Sequence, residues 1–234
     1  MSHPELATAL TDLLSLDIPP VGLSKVDARP EGVVDSGRPV PSSCAMWRVA
    51  EKGVFYAEGA EHFNCPVGAM VMGFEMPAEV NAELGGLVQS MCDAQYLDMA
   101  EVEKIPSVRK SGVGAVYGPL ADLPVDPDVV LMWLTPAQAM IYNEAAGGAN
   151  WTAEAGQVSG RPGCTALALA LESQQPRMAL GCIGMRTFTG IAADRLLAVL
   201  PGARVGEFVE ALKVTVTANA GMKSFYEGKL AQFS

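Results

Sequence analysis

The chain has 234 residues, half of them apolar, and a formal net charge of −10 at pH 7. Its 16 Lys and Arg residues form no basic run, which argues against nucleic-acid binding. No apolar run reaches the ~18–20 residues that a membrane-spanning helix needs, and the N-terminus lacks the basic and apolar regions of a signal peptide. These features predict a soluble protein of the cytoplasm that binds neither nucleic acid nor membrane.

The chain has five cysteines and two histidines, and these numbers limit the kinds of site that it could form. An odd number of cysteines in a chain without a secretion signal is atypical of a disulfide framework. Two histidines, His3 and His62, are too few for a histidine-rich zinc site and argue against a histidine-based triad. Free cysteine is among the most buried residue types, so the simplest interpretation of each cysteine is a small apolar core residue.

The first part of the chain predicts a helix, a strand and a second helix in that order. Pro4–Leu16 has leucines at spacings of three and four, which favour an amphipathic helix that the following proline pair ends. Val21–Val26 predicts a strand, and a loop rich in Pro, Gly and Asp follows it. Ser43 is the expected N-cap of a helix over Cys44–Glu51.

The middle of the chain predicts alternating strands and helices and then a boundary. The predicted elements are a strand over Val54–Ala57, a helix beginning at Cys65 and Pro66, helices over Pro77–Asp93 and Tyr96–Pro106, and a strand over Gly112–Gly118. The segment Pro119–Pro127 contains three prolines and is the predicted linker between two halves.

The second part of the chain begins with a continuous apolar run, which is typical of a strand buried on both faces. The predicted elements are a strand over Val129–Leu134, a helix over Pro136–Ala146, a loop over Asn150–Gly163, a helix over Thr165–Glu172, a strand over Arg177–Leu180, a helix over Asp194–Leu200 and a closing helix over Arg204–Gln232.

Two pairs of cysteines mark a repeated pattern. Cys44 and Cys65 are twenty-one residues apart, Cys164 and Cys182 are eighteen apart, and each pair encloses a predicted helix and then a strand. The pattern predicts one domain built from two related halves, and a duplication of this kind predicts a pseudo-two-fold axis between them.

The repeat sets the expected fold class and the limits of its parts. The halves span about 17–118 and 127–200, and residues 204–232 form the closing helix. Because strands alternate with helices in each half, we expect an α/β or α+β fold, with helices packed on a mixed sheet.

A duplicated scaffold could bring the four paired cysteines together. Four thiolates repel one another, and both a [4Fe–4S] cluster and structural zinc are held by Cys₄ sets. The closely spaced cysteine pairs of ferredoxins and zinc ribbons are absent, so this hypothesis depends on convergence of distant residues. The sequence predicts Cys44, Cys65, Cys164 and Cys182 as metal ligands, with a 4Fe–4S cluster as the expected cofactor.

A second hypothesis places a small anionic ligand between the halves. Arg48 and Arg186 each follow a cysteine by four residues, a spacing that shares one face of a helix, and Lys25 lies near a strand end. Gly68 and Gly184 would let the backbone approach a bound group closely. Each of these residues also has an ordinary interpretation as an ion pair, a solvated side chain or a turn.

Other hypotheses stay open on the sequence alone. The chain lacks a dinucleotide-binding glycine motif, a P-loop and a Gly-x-Ser-x-Gly elbow, which leaves the commonest enzyme classes without support. The cysteines could be metal-free core residues. A small-molecule or redox partner and a homodimer are compatible with the pattern, and whether the chain is an enzyme is undecided.

Several short motifs in a fixed order carry a resemblance to a known family. They are the Cys44 segment, Pro19-Pro-Val-Gly-Leu-Ser-Lys25, Asn64-Cys-Pro-Val-Gly-Ala69, Tyr117-Gly-Pro-Leu120, Pro127-Asp-Val-Val-Leu131, Pro136-Ala-Gln-Ala-Met140 and Gly181-Cys-Ile-Gly-Met-Arg186. Together they resemble the DUF169 family of uncharacterised bacterial and archaeal proteins over nearly the whole chain, from residue 5 to 215. The resemblance implies a cytoplasmic α/β-type protein with scattered cysteines and supplies no catalytic roles.

Overall fold

A computed structural model describes residues 1–37, 39–149, 158–159 and 162–233. Most of the predicted loop Asn150–Gly163 therefore lies outside the described residues. The helices are α1 (His3–Leu14), α2 (Ser43–Ala50), α3 (Pro66–Val71), α4 (Ala78–Asp93), α5 (Met99–Val102), α6 (Pro136–Asn143), α7 (Thr165–Ser173), α8 (Ile183–Thr189) and α9 (Val205–Leu230). None of these described helices is long and apolar enough to cross a membrane.

The described strands form one mixed sheet, which confirms the predicted fold class. They are β1 (Val21–Val26), β2 (Phe55–Glu58), β3 (Gly114–Pro119), β4 (Val129–Leu134), β5 (Val158–Ser159), β6 (Arg177–Ala179) and β7 (Leu196–Pro201). Their order across the sheet is β2-β3-β1-β4-β7-β6-β5. Neighbouring strands are antiparallel except for β5 and β6, which are parallel.

The two halves share the same strand order and the same register. Read outward from the central β1–β4 pair, one half has β1, β3, β2 and the other has β4, β7, β6. Val21 of β1 lies opposite Pro119 of β3, and Val129 of β4 lies opposite Pro201 of β7. Each of these two pairings comprises six residue pairs in all. This match is what a duplication would produce, and a rotation axis between the halves stays a prediction.

The central strand β4 is buried on both faces, as its continuous apolar run predicts. Because side chains alternate along a strand, Val129, Leu131 and Trp133 pack on one face with residues of α2, α7 and α8. The residues between them pack on the other face with α1, α6 and α9. We call the first the cysteine face and the second the opposite face. Cys44 belongs to the cluster on the cysteine face, Cys164 and Cys182 pack against it, and Cys65 precedes the adjoining helix α3.

The predicted helix over Asp194–Leu200 is wrong, because this segment forms strand β7. Leucine and alanine favour helices when local propensity decides. Here the run lies between β4 and β6, and its residues 197–200 are fully buried against helices on both faces. Burial on two sides suits a short apolar strand better than a helix with one apolar stripe.

The predicted linker Pro119–Pro127 is part of the packed structure. It contains a turn of 3₁₀-helix over Leu120–Asp122, and both Leu120 and Leu123 are buried. The Leu120 N–H donates to the carbonyl oxygen of Pro20 at 2.8 Å, which ties the segment to the start of β1. The connection between the halves is therefore held in place at both the backbone and the side chains.

Candidate cysteine site

Cys44 lies in the first turn of α2, and the residues before it fix that turn. The Ser42 hydroxyl accepts a hydrogen bond from the Ala45 N–H at 3.2 Å, so Ser42 rather than the expected Ser43 is the N-cap. The same hydroxyl lies 3.0 Å from the Cys44 sulfur. Since Ser42 and Cys44 are both buried, the cap also orients the thiol.

Cys65 immediately precedes α3, whose first residue is Pro66, a position where proline is tolerated. Gly68 lies in α3, on the side that faces α2. A Cβ on Gly68 would lie 2.7 Å from the Ser43 hydroxyl and 3.4 Å from the Cys65 sulfur. The absence of a side chain at Gly68 therefore lets α3 lie close to α2, beside the cysteines.

Cys164 and Cys182 begin α7 and α8, and their segments touch. The Cys182 sulfur caps α8 by accepting from the Met185 N–H at 3.4 Å. A Cβ on Gly163, next to Cys164, would lie 2.8 Å from the Gly181 Cα and 3.3 Å from the Cys182 nitrogen. The two segments can meet at this distance only because residue 163 is a glycine.

Burial and charge on neighbouring cysteines raise the pKa of Cys44, Cys65 and Cys164. The pKa of Cys44 is raised to about 11, mainly by burial and to a smaller extent by negative charge on Cys65 or Cys182. Burial also raises the pKa of Cys164 well above its usual value, with added contributions from the other three thiols. The pKa of Cys65 is raised by burial and, to a smaller extent, by Cys182. The four cysteines therefore form one electrostatic group, which we call the cysteine set.

The cysteine set is not drawn together around a single point. Within the described ranges, no three or more His, Cys, Asp or Glu side chains are arranged as a group that could hold a metal ion. Cys44 is buried and the other three cysteines are partly exposed. The predicted ligands are thus neighbours on one face of the sheet, while metal binding stays a prediction.

A buried tyrosine–histidine pair adjoins the cysteine set and was missed by the sequence analysis. The Tyr117 hydroxyl lies 2.7 Å from Nε2 of His62, and both residues are fully buried. Burial raises the pKa of Tyr117, and negative charge on Cys44 raises it further, which places the tyrosine near the thiols. A histidine three residues before Cys65 was the available signal, but its partner lies on a distant strand.

Lys25 is buried, in contrast to the solvated side chain that its simplest interpretation predicts. Its Nζ donates to the carbonyl oxygens of Met72 at 3.0 Å and Gly73 at 2.8 Å. The same nitrogen lies 4.7 Å from the centroid of the Phe74 ring. Burial lowers the pKa of Lys25. Its ammonium group is therefore engaged by the segment that follows α3.

The two arginines predicted to contact an anion are also engaged within the chain. Arg48 forms an ion pair with Glu51, one turn further along and just past the end of α2. Arg186 lies on α8 and donates to the carbonyl oxygens of Leu180 at 2.6 Å and Arg195 at 3.0 Å. Both guanidinium groups thus have structural roles, since their donors are directed to groups of the protein itself.

Gly184 has a different environment from Gly68. A Cβ on Gly184 would lie 3.9 Å from the Cys182 sulfur and 3.8 Å from the Phe188 ring, which is ordinary van der Waals contact. The fold therefore does not require a glycine at Gly184, whereas close packing of α2 and α3 requires one at Gly68.

Two buried polar atoms of α2 have no hydrogen-bond partner in the part of the chain that the structure describes. They are the Ser43 hydroxyl oxygen and Nε1 of Trp47. Buried polar groups are nearly always paired, so each orphaned atom calls for an explanation. The Ser43 hydroxyl lies beside Gly68 at the α2–α3 contact, on the same side as Cys65.

Fold and site together define a mixed α/β protein with two similarly ordered halves and four neighbouring cysteines on one face of its sheet. The family model DUF169, described as "Uncharacterised ArCR", matches residues 9–211. The chain belongs to this family, as the resemblance predicted.

The comparisons give a relative but no solved structure. The chain is 28% identical over 226 residues to the uncharacterized protein MJ0308 of Methanocaldococcus jannaschii, covering 89% of this chain and 93% of that protein. No solved structure matches the chain. The family and the relative therefore place the chain among uncharacterised proteins and assign no activity.

Proposed function

We propose that the cysteine set binds a [4Fe–4S] cluster and that the protein acts through it in electron transfer or redox sensing. The observation that carries the proposal is the gathering of four cysteines, distant along the chain, beside the starts of α2, α3, α7 and α8. A [4Fe–4S] cluster takes four thiolate ligands. Each half would contribute two of them.

The ionisation behaviour of the thiols supports a ligand role over thiol catalysis. A catalytic or redox-active cysteine needs a lowered pKa, because the thiolate is the nucleophile. In this site burial and mutual repulsion raise the pKa of Cys44, Cys65 and Cys164. Such thiols stay protonated and inert until a cation binds and stabilises their thiolates.

A single zinc ion is the main alternative to a cluster. Tetrahedral zinc with Zn–S bonds of about 2.3 Å brings four sulfurs to within roughly 4 Å of one another. A cubane of iron and sulfide is larger than one ion and holds its ligands farther apart. The metal and sulfide content of the purified protein therefore distinguishes the two.

The matched halves also support a shared site. Cys44 lies in α2 and Cys164 caps α7, the helices directly before β2 and β6, and Cys65 and Cys182 precede the next helices, α3 and α8. If the matching registers of the sheet reflect a two-fold relation, equivalent cysteines meet at its axis. Two ligands from each half would then surround one cluster.

The alternative of an anionic ligand is not supported to the same degree. Lys25, Arg48 and Arg186, which would have to contact the anion, direct their donors to carbonyl and carboxylate oxygens of the protein. An anion would have to displace those contacts before it could bind.

Cluster content is measured on protein purified without oxygen and reconstituted with iron and sulfide. We expect about four iron and four sulfide ions per chain, with a broad visible absorption that bleaches on reduction. Fewer than about 0.2 cluster per chain would contradict the proposal, since a four-thiolate site should fill. Tight zinc without iron would instead indicate a structural ion, and binding of neither would indicate core cysteines.

The fifth cysteine supplies a matched control. Cys92 lies on α4 and is not among the thiols that act on one another. We expect Cys92→Ser to keep full cluster content, while serine at any member of the cysteine set lowers it. Equal loss in all five variants would show that the effect is unspecific.

A further inference from the structure

The end of α9 has an apolar stripe that the chain leaves uncovered. The start of the helix is buried against the opposite face through Val205, Phe208, Val209 and Leu212. Beyond Lys213 the helix continues for more than four turns with no buried residue. The stripe consists of residues at helical spacing that continue past the helix end, Met222, Phe225, Tyr226, Leu230 and Phe233.

The exposure of this stripe is large for aromatic side chains. Phe225 is 60% exposed, Tyr226 is 64% exposed and Phe233 is 88% exposed. Scattered apolar residues on a surface are ordinary, but a contiguous row of large ones marks an interaction site. We call this row the α9 stripe.

A second apolar stripe, which the chain covers only in part, lies on α4. Its apolar residues recur at spacings of three and four, and of Val80, Leu84, Leu87, Val88 and Met91 only Val88 is buried. Leu87 is 46% exposed. Helix α4 packs mainly against α3 and α5, and we call its row the α4 stripe.

The two stripes carry charge of opposite sign. From residue 75 to 103 the chain has seven acidic residues and no basic one. From residue 213 to 234 it has three lysines and one glutamate. Complementary charge around apolar patches favours pairing of the two surfaces and disfavours pairing of either with itself.

The stripes of one chain do not face each other. Helix α9 packs on the opposite face, with α1 and α6. Helix α4 packs against α3, whose last residue, Val71, belongs to the cluster on the cysteine face. Because the sheet separates the two stripes within one chain, the α9 stripe can contact the α4 stripe only of a second copy.

We propose that two copies of this chain form a dimer in which the α9 stripe of each covers the α4 stripe of the other. The exchange is reciprocal, so the dimer is closed and two-fold symmetric. Three aromatic side chains from each copy would bury on the order of 1,000 Å². With the aliphatic residues of both stripes, the total reaches the roughly 1,200–2,000 Å² of a stable interface. The proposal is independent of cluster binding.

The oligomeric state of the full chain is measured by light scattering after gel filtration and by sedimentation velocity. We expect a dimer, and Phe225→Asp should raise its Kd at least about tenfold, because each dimer would bury two added charges. Ser224→Asp adds the same charge on the other side of α9 and should leave the Kd unchanged. A monomeric wild-type chain, or a dimer equally stable in both variants, would overturn the proposal.

A mixing experiment distinguishes the α9–α4 exchange from pairing of α9 with itself. Leu87→Asp on α4 should also weaken the dimer, whereas Ala82→Asp on the far side of α4 should not. In a mixed dimer, the unchanged α9 of the Leu87→Asp chain still contacts the unchanged α4 of the Phe225→Asp chain. Native mass spectrometry should therefore detect mixed dimers at concentrations where neither variant dimerises alone.

Two results of these measurements would overturn the exchange. Failure of the two variants to form mixed dimers would favour an α9–α9 contact instead. The second is a wild-type chain that stays monomeric and sediments with vesicles of mixed neutral and anionic lipids. That result would identify the basic aromatic α9 stripe as a membrane-surface helix.

Discussion

The Tyr117 hydroxyl donates a hydrogen bond to Nε2 of His62 at 2.7 Å, inside the core of the cysteine face. The direction follows from the other ring nitrogen. Nδ1 of His62 lies 2.9 Å from the Glu58 carbonyl oxygen, which can only accept, so Nδ1 carries the proton of the neutral ring. Nε2 is then the acceptor, and Tyr117 is its donor.

The pH dependence of stability should contain a contribution from His62. Burial lowers its pKa from 6.5 to about 4 in the folded chain. Above pH 6.5 both the folded and the unfolded states are neutral at this residue. As the pH falls from 6.5 towards 4, the unfolded state takes up the proton first, and the free energy of unfolding falls by about 3 kcal/mol. Urea titrations across this range measure the change.

A histidine variant separates this contribution from that of the carboxylates. In His62→Gln the slope of stability against pH should become flatter between pH 5 and 6.5, whatever the absolute stability of the variant. His3→Gln removes the other histidine and should leave most of the slope in place. An unchanged slope in His62→Gln would show that the histidine is not held neutral.

Removing the Tyr117 hydroxyl should destabilise the fold. In Tyr117→Phe the buried Nε2 of His62 loses its donor, and an unsatisfied buried acceptor costs about 1–3 kcal/mol. Chemical denaturation measures the difference. The control is Tyr226→Phe on the exposed part of α9, where we expect a change within about 0.5 kcal/mol. Equal stability of wild type and Tyr117→Phe would contradict the hydrogen bond.

Lys25 should stabilise the segment after α3 through its two carbonyl contacts. In Lys25→Met the carbonyl oxygens of Met72 and Gly73 lose a charged donor, and we expect a loss of about 2–4 kcal/mol. Lys104→Met removes an exposed lysine paired with Glu101 and should change stability by less than about 1 kcal/mol. Faster amide exchange at residues 72–74 in Lys25→Met would locate the effect. If Lys25→Met is as stable as wild type, the contacts contribute nothing.

Two glycine substitutions should change the stability of the fold in opposite directions. Gly73 has a φ of +67°, and a Cβ there would lie 2.1 Å from the Val108 carbonyl oxygen, so Gly73→Ala should cost at least about 2 kcal/mol. Gly86 lies inside α4 with open space around it, and Gly86→Ala should stabilise the helix by about 0.5–1 kcal/mol. Thermal unfolding of both variants measures the contrast. A neutral Gly73→Ala would mean that the backbone relaxes there.

Cys44 should react slowly with alkylating reagents in the metal-free folded chain. Its pKa of about 11 leaves on the order of one thiol in a thousand ionised at pH 8. The rate of carboxamidomethylation, followed by mass spectrometry, should therefore rise about tenfold per pH unit from pH 7 to 9.5. The same residue in urea should react at least about a hundredfold faster, because unfolding removes the burial that raises its pKa. Comparable rates in the two states would contradict the shift.

The central strands show what local sequence can predict. The sequence predicts β1 and β4 with the residue limits that the structure has, because prolines precede both and the apolar run of β4 is continuous. The sequence predicts a helix where β7 lies, because leucine and alanine favour helices and the neighbouring strands β4 and β6 are distant along the chain. Local propensity decided the prediction, and tertiary burial decides the structure.

The sequence also predicts some parts of the candidate site and not others. The internal repeat predicts the four cysteines as a group, because two pairs of similar spacing occur within the chain. The burial of Lys25 could not be predicted, since its acceptors at Met72 and Gly73 come from a different segment. The Tyr117–His62 pair, separated by fifty-five positions, has no local pattern either. Contacts between segments far apart in sequence require the folded chain.

The central strand pair has a consequence for the origin of the fold. Val21 and Val129 are the first residues of β1 and β4, and each lies opposite the third residue of the other strand, Leu131 and Leu23. The pairing is thus reciprocal. If the halves arose by the predicted duplication, an ancestor of half the length carried an edge able to join its own twin. Tandem fusion of two such genes would have made that encounter intramolecular and independent of concentration. It would also have freed each half to acquire its own insertions, such as α4 and α5 in the first and α6 in the second.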